Sequence, residues 1–142
     1  MDLTRLYIKQ CAGAVELQQL WEPQTGDWVF IDLPEEFVDP VVLQRENSWP
    51  KGVYVLMANW KPKDAVWLLR QDQLQGIIAP HYLEDGEVDY VEMFEDCLNY
   101  LPILLDTRSP EQMWIHLVMR YFGKYWDEQE EKWVGRRFER CV

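Results

Sequence analysis

Residues 109–126 constrain the fold more than any other stretch of this chain. Ser109-Pro110-Glu111-Gln112 is a strong helix start. The serine can cap free backbone N–H groups, proline suits the first helical position, and Gln112 can reach back to the cap. Trp114, Leu117, Val118, Tyr121, Phe122 and Tyr125 then recur at spacings of three and four. Such spacing places them on one broad apolar stripe of a helix predicted over 109–126. Gln112, His116 and Arg120 fall four apart on the other side and are expected to face water. A helix this aromatic has to be covered by other parts of the chain, so it is expected to be the core helix.

The 142 residues suit one α+β domain, 1–142, with a hydrophobic share of 48%, enough for a real core despite a net charge of -11. No apolar run approaches the length of a membrane span. Asp2, Arg5, Lys9 and Glu16 interrupt the first twenty residues, which do not read as a signal peptide. Cys11, Cys97 and Cys141 are odd in number and far apart, which suits free thiols and a cytoplasmic setting.

The rest of the chain reads as follows. A first helix is predicted over 2–20, with Leu3, Leu6, Ile8, Cys11, Val15 and Leu17 on its apolar side and Gly13 weakening its middle. Glu22-Pro23 stops it, and 24–27 form a turn. Strands are predicted at 28–31, 52–58 and 65–69, the third returning antiparallel beside the second. Pro34, Pro40 and Pro50 make 33–51 an irregular connection, with an extra edge strand near 41–43 as one option. A short helix follows at 71–78, an acidic loop at 82–88, and a second long helix at 89–101. Val91, Phe94, Cys97, Leu98 and Leu101 are expected on the buried side of that helix. Residues 103–105 read as a buried connector, and the basic tail from Gly135 as loosely held. The architecture expected is thus an N-terminal helix, a small antiparallel sheet of about three strands, and a mostly helical C-terminal half.

Three stretches carry a resemblance: Leu20-Trp21-Glu22-Pro23-Gln24-Thr25-Gly26-Asp27-Trp28, Val66-Trp67-Leu68-Leu69-Arg70-Gln71-Asp72-Gln73-Leu74-Gln75, and Glu111-Gln112-Met113-Trp114 continuing to Phe122-Gly123-Lys124-Tyr125-Trp126. Together they resemble a family of small, uncharacterised proteins encoded by bacteriophages and prophages of Gram-positive bacteria. The order is the same over most of the chain, apart from 33–51 and 79–108, and Leu69 stands where that family usually has proline. The resemblance implies a phage accessory role in a bacterial cytoplasm and brings no activity with it.

Charge is the other functional signal. Nine acids and no Lys or Arg lie between Arg70 and Arg108, so this segment supplies -9 of the total. Its carboxylates Glu84, Asp85, Glu87, Asp89, Glu92, Glu95 and Asp96 are expected either to form a solvated helix face or to bind a basic or nucleic-acid-binding protein, with inhibition of a host nucleic-acid-binding or defence protein as one option. Such a field disfavours direct binding to nucleic acid. No catalytic residue, metal site or cofactor is expected: His81 and His116 are far apart, and there is no phosphate loop, nucleophile elbow or ligand cluster. The competing expectation is a small-ligand or nucleotide-binding protein, or an enzyme, built on Trp67, Arg70, Gln71, Asp72 and Gln73 at a strand-to-helix turn. Ordinary helix capping accounts for the same residues. The eight tryptophans are expected in the core and at its rim, with Trp49 as the exposed exception.

Overall fold

The fold was analysed in a computed structural model that describes residues 1–32, 43–99 and 109–135. The expected connector at 103–105, Leu101, Cys141 and most of the basic tail lie outside these residues. The chain divides into two compact units, Met1–Arg70 and Gln71–Val142.

The first unit opens with α1 (Arg5–Gly13) and α2 (Val15–Gln19) in place of one helix over 2–20. Thr4 caps α1 by accepting the Tyr7 N–H, and Asp2 in turn accepts the Thr4 N–H and hydroxyl at 2.8 and 2.7 Å. The break falls at Ala14, one residue past the weakening Gly13, where ψ is 70° and the N–H is shared between the Gln10 and Cys11 carbonyls. Tyr7, Gln10, Cys11, Ala14 and Leu17 are buried, whereas Leu6 and Val15, expected inside, are exposed. The buried arc is therefore turned from the one that apolar residues alone suggest, because Tyr7 and Gln10 take core positions.

Among the described residues four strands form one antiparallel sheet: β1 (Trp28–Phe30), β2 (Leu43–Gln44), β3 (Val53–Leu56) and β4 (Val66–Leu68), in the order β2-β3-β1-β4. The α+β class is as expected, with the optional edge strand present. The pairing of β4 is not as expected. It lies against β1, with Val29 opposite both Tyr54 and Trp67, so β3 and β4 run parallel on either side of β1. The nine residues between β3 and β4 are long enough to return along the sheet, which frees β1 to be central.

In the second unit α5 (Pro110–Tyr121) is the central element, packed by α3 (Gln71–Ile78), α4 (Tyr90–Asn99) and the strand that follows it. The Ser109 hydroxyl accepts the Gln112 N–H at 3.1 Å, so the helix starts where the sequence places it. It ends early. Gly123, at φ +74°, donates to the Arg120 carbonyl, a left-handed helix stop that glycine adopts without strain. Beyond it the chain forms β7 (Lys124–Asp127) and β8 (Lys132–Gly135), a hairpin pairing Trp126 with Trp133. Leu117 and Val118 are buried with Trp114, but so are Ile115, Met119 and Gln112, while Tyr121, Phe122 and Tyr125 are exposed. Because α5 is covered on several sides, Gln112 does not face water, and His116 and Arg120 are half-buried.

The expected acidic loop at 82–88 is instead a short 3-10 turn (Ala79–Tyr82) and a hairpin of β5 (Leu83–Glu84) and β6 (Glu87–Val88). Its tip, Asp85-Gly86, has φ values of 51° and 82°. Two positive values suit the twist of a tight hairpin, and Asp-Gly is a dipeptide that supplies them.

Candidate functional site

Two groups of residues carry the functional expectations, one in each unit. In the first unit, Trp67 and Arg70 belong to a network centred on the buried Asp27. The Trp21 indole N–H and the Gln24 backbone N–H both donate to Asp27 Oδ2 at 2.9 Å. Arg70 places Nη1 3.7 Å from Asp27 Oδ1 and donates to the Gly26 carbonyl at 3.2 Å. Trp21 stacks on Trp67 with ring centres 6.2 Å apart, and Lys61 Nζ lies 5.4 Å from the Trp21 ring centre. The network explains two of the stretches singled out in the sequence: Trp21 to Asp27 and Trp67 to Arg70 hold each other. A carboxylate buried beside an indole N–H, an amide N–H and a guanidinium has its charge met on several sides. Arg70 here points inward to a turn. Among the described residues the Trp67 indole N–H finds no acceptor.

Gln18 is a structural residue that sequence reasoning missed. β4 lies at the edge of the sheet, and Trp67 turns its backbone groups outward. The Gln18 side chain meets both: Nε2 donates to the Trp67 carbonyl at 2.9 Å, and Oε1 accepts the Trp67 N–H at 2.8 Å. Nε2 also donates to the Cys11 carbonyl at 3.0 Å, which near the end of α1 has only a share of the Ala14 N–H. One amide thus closes a strand edge and a helix end. The Tyr7 hydroxyl continues the closure by donating to the Leu69 carbonyl at 2.6 Å.

The remaining members of that candidate cluster open α3 in the second unit. Asp72 is exposed in the first turn, where its charge suits the helix dipole, and Gln71 and Gln73 are half-buried. 

The acidic group occupies the β5–β6 hairpin and α4. Glu84, Asp85 and Glu87 are exposed on the hairpin, and Glu92 and Glu95 on the helix. Asp89 accepts the Glu92 N–H at 3.0 Å, which satisfies one free donor at the start of α4. Asp96 is half-buried and accepts the Tyr82 hydroxyl at 2.7 Å. Burial, and then the neighbouring Tyr121 and Asp96, pushes the Tyr82 hydroxyl far above the usual phenol range, so it remains a donor. Among the described residues none of the seven carboxylates makes an ion pair.

α4 departs from expectation in which side it buries. Met93 and Cys97 are inside, but Val91, Phe94 and Leu98 are 70%, 44% and 62% exposed. The apolar arc of this helix is wider than the surface α5 offers it, and only one edge of the arc is used. Phe94 keeps an edge-to-face contact with Trp114 at 5.1 Å. Burial pushes the Cys97 thiol up to about 11.

The two histidines are engaged with aromatic rings, His81 with Tyr121 at 4.6 Å and His116 with Trp133 at 5.2 Å. Trp49 is half-buried against Trp28 at 4.6 Å, and Trp60, half exposed, is the tryptophan most open to solvent among those described. Among the described residues no three His, Cys, Asp or Glu side chains converge to hold a metal ion, and no helix is long and apolar enough to cross a membrane. No family model, curated protein or solved structure matches the chain.

Proposed function

We propose that this protein is a non-enzymatic binding module whose acidic hairpin and α4 engage a basic protein, within the accessory repertoire of a phage or prophage in a bacterial cytoplasm. The observation that carries this reading is the state of the carboxylates. Seven acids lie within residues 84–96, none ion-paired among the described residues, in a segment (71–107) that contains no Lys or Arg. A merely solvated helix face normally interleaves cations with its acids. An uncompensated field of this kind accelerates encounter with a positively charged surface and repels nucleic acid itself. The partner class that fits is a protein with a basic groove or patch, such as one that binds nucleic acid.

The test is affinity capture from host lysate with the natural chain and with Glu87, Glu92 and Glu95 changed to Lys, washed at salt between about 0.05 and 0.5 M. The natural chain retains a basic protein at low salt, and the variant does not. Equal recovery by both chains, or a partner without excess positive charge, sinks the reading.

A further inference from the structure

The exposed side of α4 is not only acidic. At about 100° per residue, Phe94, Leu98 and Val91 fall within an arc of about 60°, and Glu95 and Glu92 follow at its edge. Val91 and Leu98 stand two turns apart, about 10 Å along the axis. All three apolar side chains are exposed, Val91 most of all. This is a solvent-facing apolar stripe with a carboxylate border on a helix whose other edge, Met93 and Cys97, is already in the core.

Resting on the function proposed above, we infer that the occupant of this stripe is a basic amphipathic helix of the partner, its apolar residues on Val91, Phe94 and Leu98 and its Lys or Arg flank against Glu92 and Glu95. Charge complementarity selects it. A second copy of this chain would bring the same carboxylates into opposition, and an anionic lipid or nucleic-acid surface would be repelled likewise. A basic surface without an apolar ridge would leave the stripe in water. Two turns of spaced apolar anchors are the pattern by which a helix docks along another apolar face.

The probe is a labelled synthetic peptide of about 18 residues, long enough for marginal helicity, with Leu at three- and four-residue spacing and Lys or Arg beside it. Its binding to the full chain is followed by fluorescence anisotropy. One control peptide has the same composition with the Leu positions scrambled; another has Glu in place of Lys and Arg. The amphipathic basic peptide binds, the scrambled one at least about tenfold more weakly, and the acidic one not at all, since several tens of Å² of apolar contact per anchor are worth roughly that factor. Changing Val91 and Leu98 to Ser weakens the amphipathic peptide by a similar tenfold or more, and E92Q with E95Q weakens it several-fold and flattens its salt dependence. The peptide comparison on the natural chain stands even if a variant is damaged.

Equal binding of scrambled and amphipathic peptides overturns the apolar docking while leaving the acidic binding surface intact. Absence of binding by both basic peptides overturns both. Binding that emerges only when Arg136, Arg137 and Arg140 are changed to Gln identifies the chain's own tail as the occupant, and a dimer dissolved by V91S/L98S identifies a second copy. Either result overturns an external partner.

Discussion

Gln18 offers the sharpest test of how the first unit is held together. Changing it to Leu preserves the bulk and the stem and removes three hydrogen bonds, to the Trp67 carbonyl, the Trp67 N–H and the Cys11 carbonyl. At about 1 kcal/mol each the loss is about 3 kcal/mol, and because Gln18 is only half-buried, water recovers part of it, leaving about 2 kcal/mol. With a urea slope of about 1.5 kcal/mol per molar, the midpoint should fall by a little over 1 M. Equilibrium unfolding in urea measures the total, and amide hydrogen exchange reads the site. The Trp67 N–H should exchange much faster in the variant than in the natural chain, because its acceptor is gone. Gln18→Glu keeps an acceptor for the Trp67 N–H but turns an anionic oxygen towards two carbonyls, so it should be at least as destabilising as Gln18→Leu. A Gln18→Leu midpoint within about 0.3 M of the natural one, with Trp67 exchange unchanged, would refute the edge-closing role.

Four further outcomes follow from the second unit. Cys97 is raised from 9.0 to about 11 by burial, so the folded state favours the neutral thiol. That contribution to stability is complete below about pH 9 and is lost as pH rises through about 11; urea midpoints should fall over this window, and by less in Cys97→Ala, where the fall that Tyr82 brings above about pH 10 remains. A thiol reagent at pH 8 should modify Cys97 in urea and spare it in the folded chain. Gly123→Ala should cost about 1 kcal/mol, measured as a lower unfolding midpoint, because its φ of +74° burdens any residue with a Cβ even where space is open. Tyr82→Phe removes the 2.7 Å bond to Asp96 and should destabilise by about 1 kcal/mol; an unchanged midpoint would show that water replaces the phenol without loss.

Much of the local structure was legible in the residues. The Ser109 cap, the strands beginning at Trp28, Val53 and Val66, and the short helix after Arg70 all follow from signals contained within a few neighbouring positions. Two features were also written there and are easily passed over: Asp85-Gly86, which makes the acidic stretch a hairpin, and Gly123, which stops α5 before Tyr125 and Trp126 can extend it. The acidic candidates are legible as a charge pattern, and the structure adds that none of them is ion-paired among the described residues. The residues from Arg70 to Gln73 read as one polar cluster only along the chain: Arg70 turns to Asp27 and Gly26, whereas Asp72 sits at the exposed start of α3.

What the sequence determined alone is where helices and strands begin, that several elements are amphipathic, and that one third of the chain carries nearly all the net charge. Those properties depend on backbone preferences and on spacing along the chain. Only the tertiary structure decided which strand became central, which part of each apolar arc was buried, and what the polar side chains met. β4 pairs with β1 because long-range registry places them together; Gln18 matters because β4 then has an open edge; and α4 leaves Val91 and Leu98 in water because its neighbours cover only the side bearing Met93 and Cys97. A periodic pattern marks a face that can be buried, and only the partners brought up from distant sequence determine how much of that face is covered.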